Sequence, residues 1–203
     1  MANQKLYEQY NPWWQAGQIP VDFRFKTKRR LFEQLLADIN NKKIISIVGL
    51  RRIGKSVLLY QIIEHLLEQG IEPRRIFYLK ADDPVLEIEK NIISDAVDFY
   101  ENTVSHQRLD KTKEKVFFFF DEVQKVAKWG EYLKRYFDLG YQIKFFVTGS
   151  SSIQIIKTSK ESLAGRSKEY VLPPLSFSES FAWKKKDELL KIEPDKLFDY
   201  QRW

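Results

Sequence analysis

Apolar residues follow two different patterns along the chain. Five short stretches are nearly unbroken in apolarity: "KIISIV" (43–48), "RIFYLK" (75–80), "KVFFFF" (115–120), "IKFFVTG" (143–149) and "KEYVLP" (168–173). They are rich in β-branched and aromatic residues. Such runs predict strands covered on both faces, as in a parallel sheet. Between them apolar positions recur at intervals of three and four. Leu58, Leu59, Ile62, Ile63, Leu66 and Leu67 predict a helix over 55–69, stopped by Gly70. Ile88, Ile92, Ile93, Ala96, Val97 and Tyr100 predict a second over 86–104. Trp129, Leu133, Tyr136 and Phe137 predict a third over 129–137, ahead of Gly140. Strands and helices in alternation imply right-handed crossovers and an α/β layered domain.

The ends differ from this core. Residues 1–30 form an aromatic and basic arm: Tyr7, Tyr10, Trp13, Trp14, Phe23 and Phe25 show no clear period. Residues 31–175 carry the alternating core. Residues 176–203 have a helical pattern and the charged stretch "KKKDE" (184–188).

Composition narrows the class. Of 203 residues, 43% are hydrophobic and 31% charged, which suits a globular chain with its own core. No cysteine is present, so disulfides and thiolate metal sites are excluded, in keeping with a reducing cytoplasm. No apolar run approaches the ~18 residues of a membrane span. The net charge of +6 is compatible with an anionic partner such as nucleic acid or nucleotide phosphate. The basic stretch "RFKTKRR" (24–30) has two readings, a phosphate contact or a solvated helix start before "LFEQLL". His65 and His106 lack ligand spacing, so no metal is expected beyond Mg²⁺ held with nucleotide.

"GLRRIGKS" (49–56) fits G-x-x-x-x-G-K-[ST] and lies between a predicted strand and a predicted helix. Each fixed position has a physical task. Gly49 and Gly54 let the backbone curl so that its N–H groups face phosphate oxygens. Lys55 reaches the terminal phosphates as a point charge, and the Ser56 hydroxyl is a Mg²⁺ ligand. The helix starting there turns its positive dipole end to the anion. The candidate nucleotide-binding set is therefore Gly49, Leu50, Arg51, Arg52, Ile53, Gly54, Lys55, Ser56 and Val57. Arg51 and Arg52 fill variable positions, facing phosphate, a neighbouring subunit or solvent.

The reaction depends on a second strand. "VFFFFDE" drives an apolar run into two acids, and Asp121 falls at the carboxyl end of that strand, where open α/β sheets bind ligands. Asp121 is a candidate for the Mg²⁺ shell shared with Ser56. Glu122 diverges from it and is the candidate base that polarises a water. "FFVTGSSS" (145–152) ends in hydroxyls. Ser150 is the expected contact to the terminal phosphate or the water, with Thr148 and Ser151 as rivals and a helix cap over 151–158 as the alternative. Arg166, in "SLAGRS" (162–167), is a candidate for stabilising the transferring phosphoryl group, in cis or across a subunit boundary, or else a helix-end cap. No N-K-x-D guanine signature occurs, which favours adenine. Trp13, Trp14, Phe23 or Phe25 lie either near that base or docked on the core.

Residues 43–181 resemble the AAA+ P-loop ATPases, and among them an archaeal and bacterial ATPase family with an RR-containing Walker A loop. "GLRRIGKS" resembles its Walker A motif, and "FFFFDEVQKV" with "WGEYLKRYFDLG" its Walker B motif and following helix. "FFVTGSSS" resembles its sensor-one strand, and "SLAGR" with "VLPPLSFSES" its closing segment. The resemblance implies ATP binding and hydrolysis with Mg²⁺ and a three-layer fold. Its five-stranded parallel sheet has the order 5-1-4-3-2. It implies the usual roles for Lys55, Ser56, Asp121 and Glu122, and extends to Ser150 and Arg166. Members continue into a lid and a further domain, so the expectation is that 176–203 begins such a region. Nucleotide state then drives conformational change, with a homo-oligomer among the expected partners. A slow-turnover nucleotide switch and a nucleic-acid-associated ATPase are the alternatives.

Overall fold

The computed structural model describes residues 2–25, 27–86, 91–150 and 162–181. Met1–Leu172 form one compact unit and Pro173–Trp203 a second.

The first unit is built on five strands: β1 (Ile44–Gly49), β2 (Ile76–Lys80), β3 (Val116–Asp121), β4 (Ile143–Ser150) and β5 (Ser167–Val171). All neighbours pair in parallel, in the order β2-β3-β4-β1-β5. Read from the other edge, this is 5-1-4-3-2, as expected. Each strand falls within a residue or two of its apolar run. The edge strand β5 is mostly exposed, with Tyr170 its one buried position.

The phenylalanine run shows why continuous apolarity was needed. Phe118 and Phe120 enter one core with Phe77, Val97 and Leu133, whereas Phe117 and Phe119 enter a second core with Leu58, Ile62 and Phe32. Successive strand residues point to opposite faces, and here both faces are covered. Phe118 stacks on Phe77 with ring centres 4.8 Å apart, and Phe119 stacks on Phe146, also at 4.8 Å. Four large rings in sequence therefore anchor β3 from both sides, so the residues at its end are rigidly held.

The helices are α1 (Ala2–Tyr10), α2 (Trp13–Ala16), α3 (Arg30–Ala37), α4 (Lys55–Glu68), α5 (Ile92–Phe99) and α6 (Trp129–Asp138). The helix expected over 86–104 is in part outside the described residues (87–90). Beyond Phe99 it widens into a π-helix, Tyr100–Ser105. There the Tyr100 ring turns inward, edge-on to Phe118, and its hydroxyl donates to the Arg74 carbonyl.

The arm is more ordered than its lack of period implied. It holds α1, α2 and a 3-10 turn, Val21–Phe23, each too short for a periodic signal to accumulate. It closes the open edge of β2. The Asn11 amide behaves like a piece of neighbouring strand: Nδ2 donates to the Tyr78 carbonyl (2.9 Å) and Oδ1 accepts from the Tyr78 N–H (2.6 Å). The indoles of Trp13 and Trp14 both donate to the Ile76 carbonyl, at 3.0 and 2.8 Å. An edge strand left bare is a template for unwanted pairing, and this arm covers it.

In the second unit Ser176 and Glu179 form a capping box at the start of a short helix, 177–181. The Ser176 Oγ accepts from the Glu179 N–H (3.2 Å), and the Glu179 carboxylate accepts from the Ser176 N–H (3.1 Å). The charged stretch 184–188 lies outside the described residues. Among those described, no helix is long and apolar enough to cross a membrane.

Candidate functional site

A parallel sheet sends the carboxyl ends of all its strands to one side. Gly49, Asp121 and Ser150 end β1, β3 and β4 there, and Gly49 stands in register with Ser150. The loop 49–54 leaves β1 and feeds α4 at Lys55.

Two glycines shape the loop for different reasons. A Cβ on Gly49 would stand 2.7 Å from the Leu172 carbonyl oxygen, so no side chain fits. Gly54 has open space around it but a φ of +101°, which other residues rarely adopt. Arg52 is also left-handed, at φ +63°. Leu50, Arg51 and Arg52 are exposed at the loop apex, and Ile53, Ser56 and Val57 are half-buried. Arg29, which sequence reasoning did not single out, is buried beneath this loop and donates to the Ile53 carbonyl at 3.3 Å. Its signal was hidden in the basic run 24–30.

That run is engaged by the fold itself. Arg24 contacts the Ile19 carbonyl, Gln18 and Glu64, while the Lys28 ammonium sits over the Phe32 ring. Arg29 is buried, whereas Arg24, Lys28 and Arg30 remain exposed at the surface. The arm's aromatics likewise dock on the core: Trp13 is fully buried, and Phe23 stacks on Tyr60 at 4.5 Å.

The two motifs meet through charge. The Lys55 ammonium, 3% exposed, lies 3.5 Å from a Glu122 carboxylate oxygen and donates to the Gly49 and Leu50 carbonyls at 3.3 and 3.1 Å. Glu122 leaves β3 with φ +59°, which swings its side chain away from that of Asp121. Its other oxygen accepts from the Gln124 amide. Left-handed backbone at both Arg52 and Glu122 places conformational strain at this site, where strain is common in functional centres.

Asp121 is 1% exposed, and both of its oxygens are engaged. The Tyr78 hydroxyl donates to Oδ2 at 3.0 Å and the Thr148 hydroxyl to Oδ1. Burial, and then the Asp121 charge, push the Tyr78 hydroxyl well above its ordinary pKa, so it remains a donor. Thr148 also accepts from the Glu122 N–H at 3.0 Å. One hydroxyl thus ties the two acids together. Among the rivals on β4, Thr148 makes these bonds, Ser150 lies at the strand end beside Gly49, and Ser151 and the expected cap over 151–158 lie outside the described residues.

Arg166 lies elsewhere. Its carbonyl accepts from the Ile44 N–H, at the amino end of β1, and its guanidinium makes a two-point bond to Asp138 at 2.6 and 3.1 Å. From Ile44 to Gly49 the strand runs about 16 Å at its usual rise. The expected role in cis is therefore corrected: the fold puts Arg166 and the phosphate loop at opposite ends of the sheet.

The residues present fit a nucleotide with Mg²⁺. The loop turns at Gly54 with open space beside it, and Lys55 supplies a buried cation. Ser56 and Asp121, each next in the chain to a member of the Lys55–Glu122 pair, offer hard oxygen donors of the kind Mg²⁺ takes. A strand, a glycine-cornered loop, a helix with lysine at its first residue and an acid-tipped strand one place beyond the adjacent β4 together define a P-loop nucleotide-binding domain of the ATPase type. The chain belongs to the AAA domain family, whose sequence model matches residues 41–181.

Relatives place this domain in larger proteins. An uncharacterized protein of Haemophilus influenzae is 29% identical over 178 residues, covering 87% of this chain and 42% of its own length. The uncharacterized protein MJ1544 of Methanocaldococcus jannaschii is 32% identical over 162 residues, 78% of this chain and 33% of its own. The chain thus spans about a third to two fifths of the length of these curated relatives. The S. cerevisiae Hsp104–ADP complex has a similar fold, with a TM-score of 0.55 at 14% identity over 85% of this chain and 25% of that one.

Proposed function

We propose that this chain is a Mg²⁺-dependent ATPase that couples nucleotide state to conformational change. The observation that carries the reading is the 3.5 Å contact between Lys55 and Glu122, which joins the phosphate loop to the acid-tipped strand. Backbone N–H groups of residues 49–57 cradle the phosphates. Lys55 exchanges its loop carbonyls and the Glu122 carboxylate for phosphate oxygens, which frees Glu122. Glu122 then accepts a proton from water as the water oxygen bonds to the terminal phosphorus. The bond to the bridging oxygen breaks, yielding ADP and phosphate.

Ser56 and Asp121 are the residues that would hold Mg²⁺, which when bound neutralises developing phosphate charge. Among the described residues no group of three His, Asp or Glu side chains that could hold a metal occurs. Ser150 is assigned to the terminal phosphate or the water. Arg166 retains a role only across a subunit boundary in a homo-oligomer, and Arg51 and Arg52 mark the branch with paired arginines in this loop. Adenine is the proposed base and the cytoplasm the proposed setting.

One observation favours slow turnover, the behaviour of a nucleotide switch: Lys55 holds three acceptors of its own, each of which phosphate must displace. The test is phosphate release and nucleotide binding measured side by side, with and without Mg²⁺, for the parent and Glu122→Gln. Binding with release that depends on Glu122 supports the ATPase. Binding with negligible release supports the switch, and absence of binding defeats both.

A further inference from the structure

We infer that Tyr78 is a positioning residue for Asp121, and that Asn11 extends this support into the amino-terminal arm. The inference rests on the reading of Asp121 as the magnesium-side acid. Asp121 ends a strand whose core is locked by four phenylalanines, yet its carboxylate still rotates about its own side-chain bonds. Two hydroxyls stop that rotation from opposite sides of the strand: Thr148 on β4 holds Oδ1, and Tyr78 on β2 holds Oδ2 at 3.0 Å.

Thr148 belongs to a motif whose role the sequence already marked. Tyr78 does not, because its hydroxyl is hidden in an otherwise apolar strand. It is 1% exposed, and its ring packs against Tyr60, Tyr10 and Trp13 at 4.9, 6.0 and 6.5 Å. The phenol is long and stiff, so its hydroxyl is placed by its backbone and by the ring's neighbours. Asn11 fixes that backbone through both the N–H and the carbonyl of the same residue, at 2.6 and 2.9 Å. The arm that protects the sheet edge is thus one residue removed from the metal-side carboxylate.

A charge-assisted hydrogen bond in a buried site orients a carboxylate. Losing it weakens Mg²⁺ use and leaves the phosphate cradle alone. The experiment titrates a fluorescent ADP analogue into the parent, Tyr78→Phe and Asn11→Ala, in EDTA and then across a Mg²⁺ series. Tyr78→Phe is expected to bind the analogue in EDTA as the parent does and to need about tenfold more Mg²⁺ for half of the metal-dependent gain. Asn11→Ala, scored at a temperature where it remains folded, is expected to shift the same way by a smaller factor. A Tyr78→Phe protein with the parent's Mg²⁺ half-saturation overturns the inference, as does one equally weakened in EDTA, which is the mark of a general structural role. If Tyr78→Phe does not fold, an unshifted Asn11→Ala overturns it. A parent whose binding ignores Mg²⁺ removes the Asp121 reading itself, a separate and recognisable failure.

Discussion

Lys55 and Glu122 come from separate motifs, and the fold sets them 3.5 Å apart with the lysine almost fully buried. At this separation cation and carboxylate neutralise one another, and in the proposed ATPase phosphate would take the carboxylate's place. Two substitutions separate the roles. Lys55→Ala is expected to weaken nucleotide binding by a factor of about 10–100, the worth of a charge-assisted contact to phosphate. Titration calorimetry measures it, and an affinity equal to the parent's refutes the phosphate-loop assignment.

Glu122→Gln is expected to keep nucleotide affinity within a few-fold and to lower phosphate release by about 10²–10³-fold, the usual contribution of a general base. Unchanged release would show that another group activates the water.

The two loop glycines are expected to fail differently. Gly49→Ala forces a Cβ against the Leu172 carbonyl oxygen, a backbone atom that cannot simply rotate away. A cost of about 1–3 kcal/mol in urea-unfolding free energy follows, typical of overpacking. Gly54→Ala meets no atom but must hold φ near +101°, at about 1–2 kcal/mol. An added glycine next to position 54 should relieve only the second. Equal relief of both would contradict the distinction.

Asn11→Ala removes the partner of two backbone groups on the edge of β2 and is expected to cost about 3 kcal/mol. Denaturant unfolding measures this, and a loss below about 0.5 kcal/mol would show that water replaces the amide freely.

Acid should loosen the amino end of the sheet. Lys168, and then Tyr170, hold the Asp38 carboxyl below its ordinary value. A lowered folded pKa contributes stability that is full above the unfolded value of about 3.9 and is lost as pH falls through the folded one. Melting temperature followed from pH 5 down to pH 2 should therefore fall, and more steeply for the parent than for Asp38→Asn. Parallel curves would mean that Asp38 does not contribute to this limb.

The strands were legible because their reason is local. Phe117 to Phe120 need cover on both faces, and only a sandwiched parallel strand gives it. The turn "GLRRIGKS" between β1 and α4 was legible because its glycines and the apolar runs on either side are local signals. The arm was not. Asn11, Trp13 and Trp14 act on Tyr78 and Ile76, and no spacing within 1–30 points to a strand so distant in sequence. Arg166 misled for the complementary reason: its place in the motif order is next to the site, and its place in the sheet is at the far end.

By itself, then, the sequence determined the alternation of strand and helix, the glycines, the lysine and the two acids, because apolar period and phosphate geometry act over neighbouring residues. The tertiary structure alone decided which hydroxyls hold Asp121, that Lys55 rests on Glu122, and that Asn11 closes the sheet. Those contacts are hydrogen bonds and charge pairs between distant segments, and their partners are chosen only when the parallel strands set all their ends side by side.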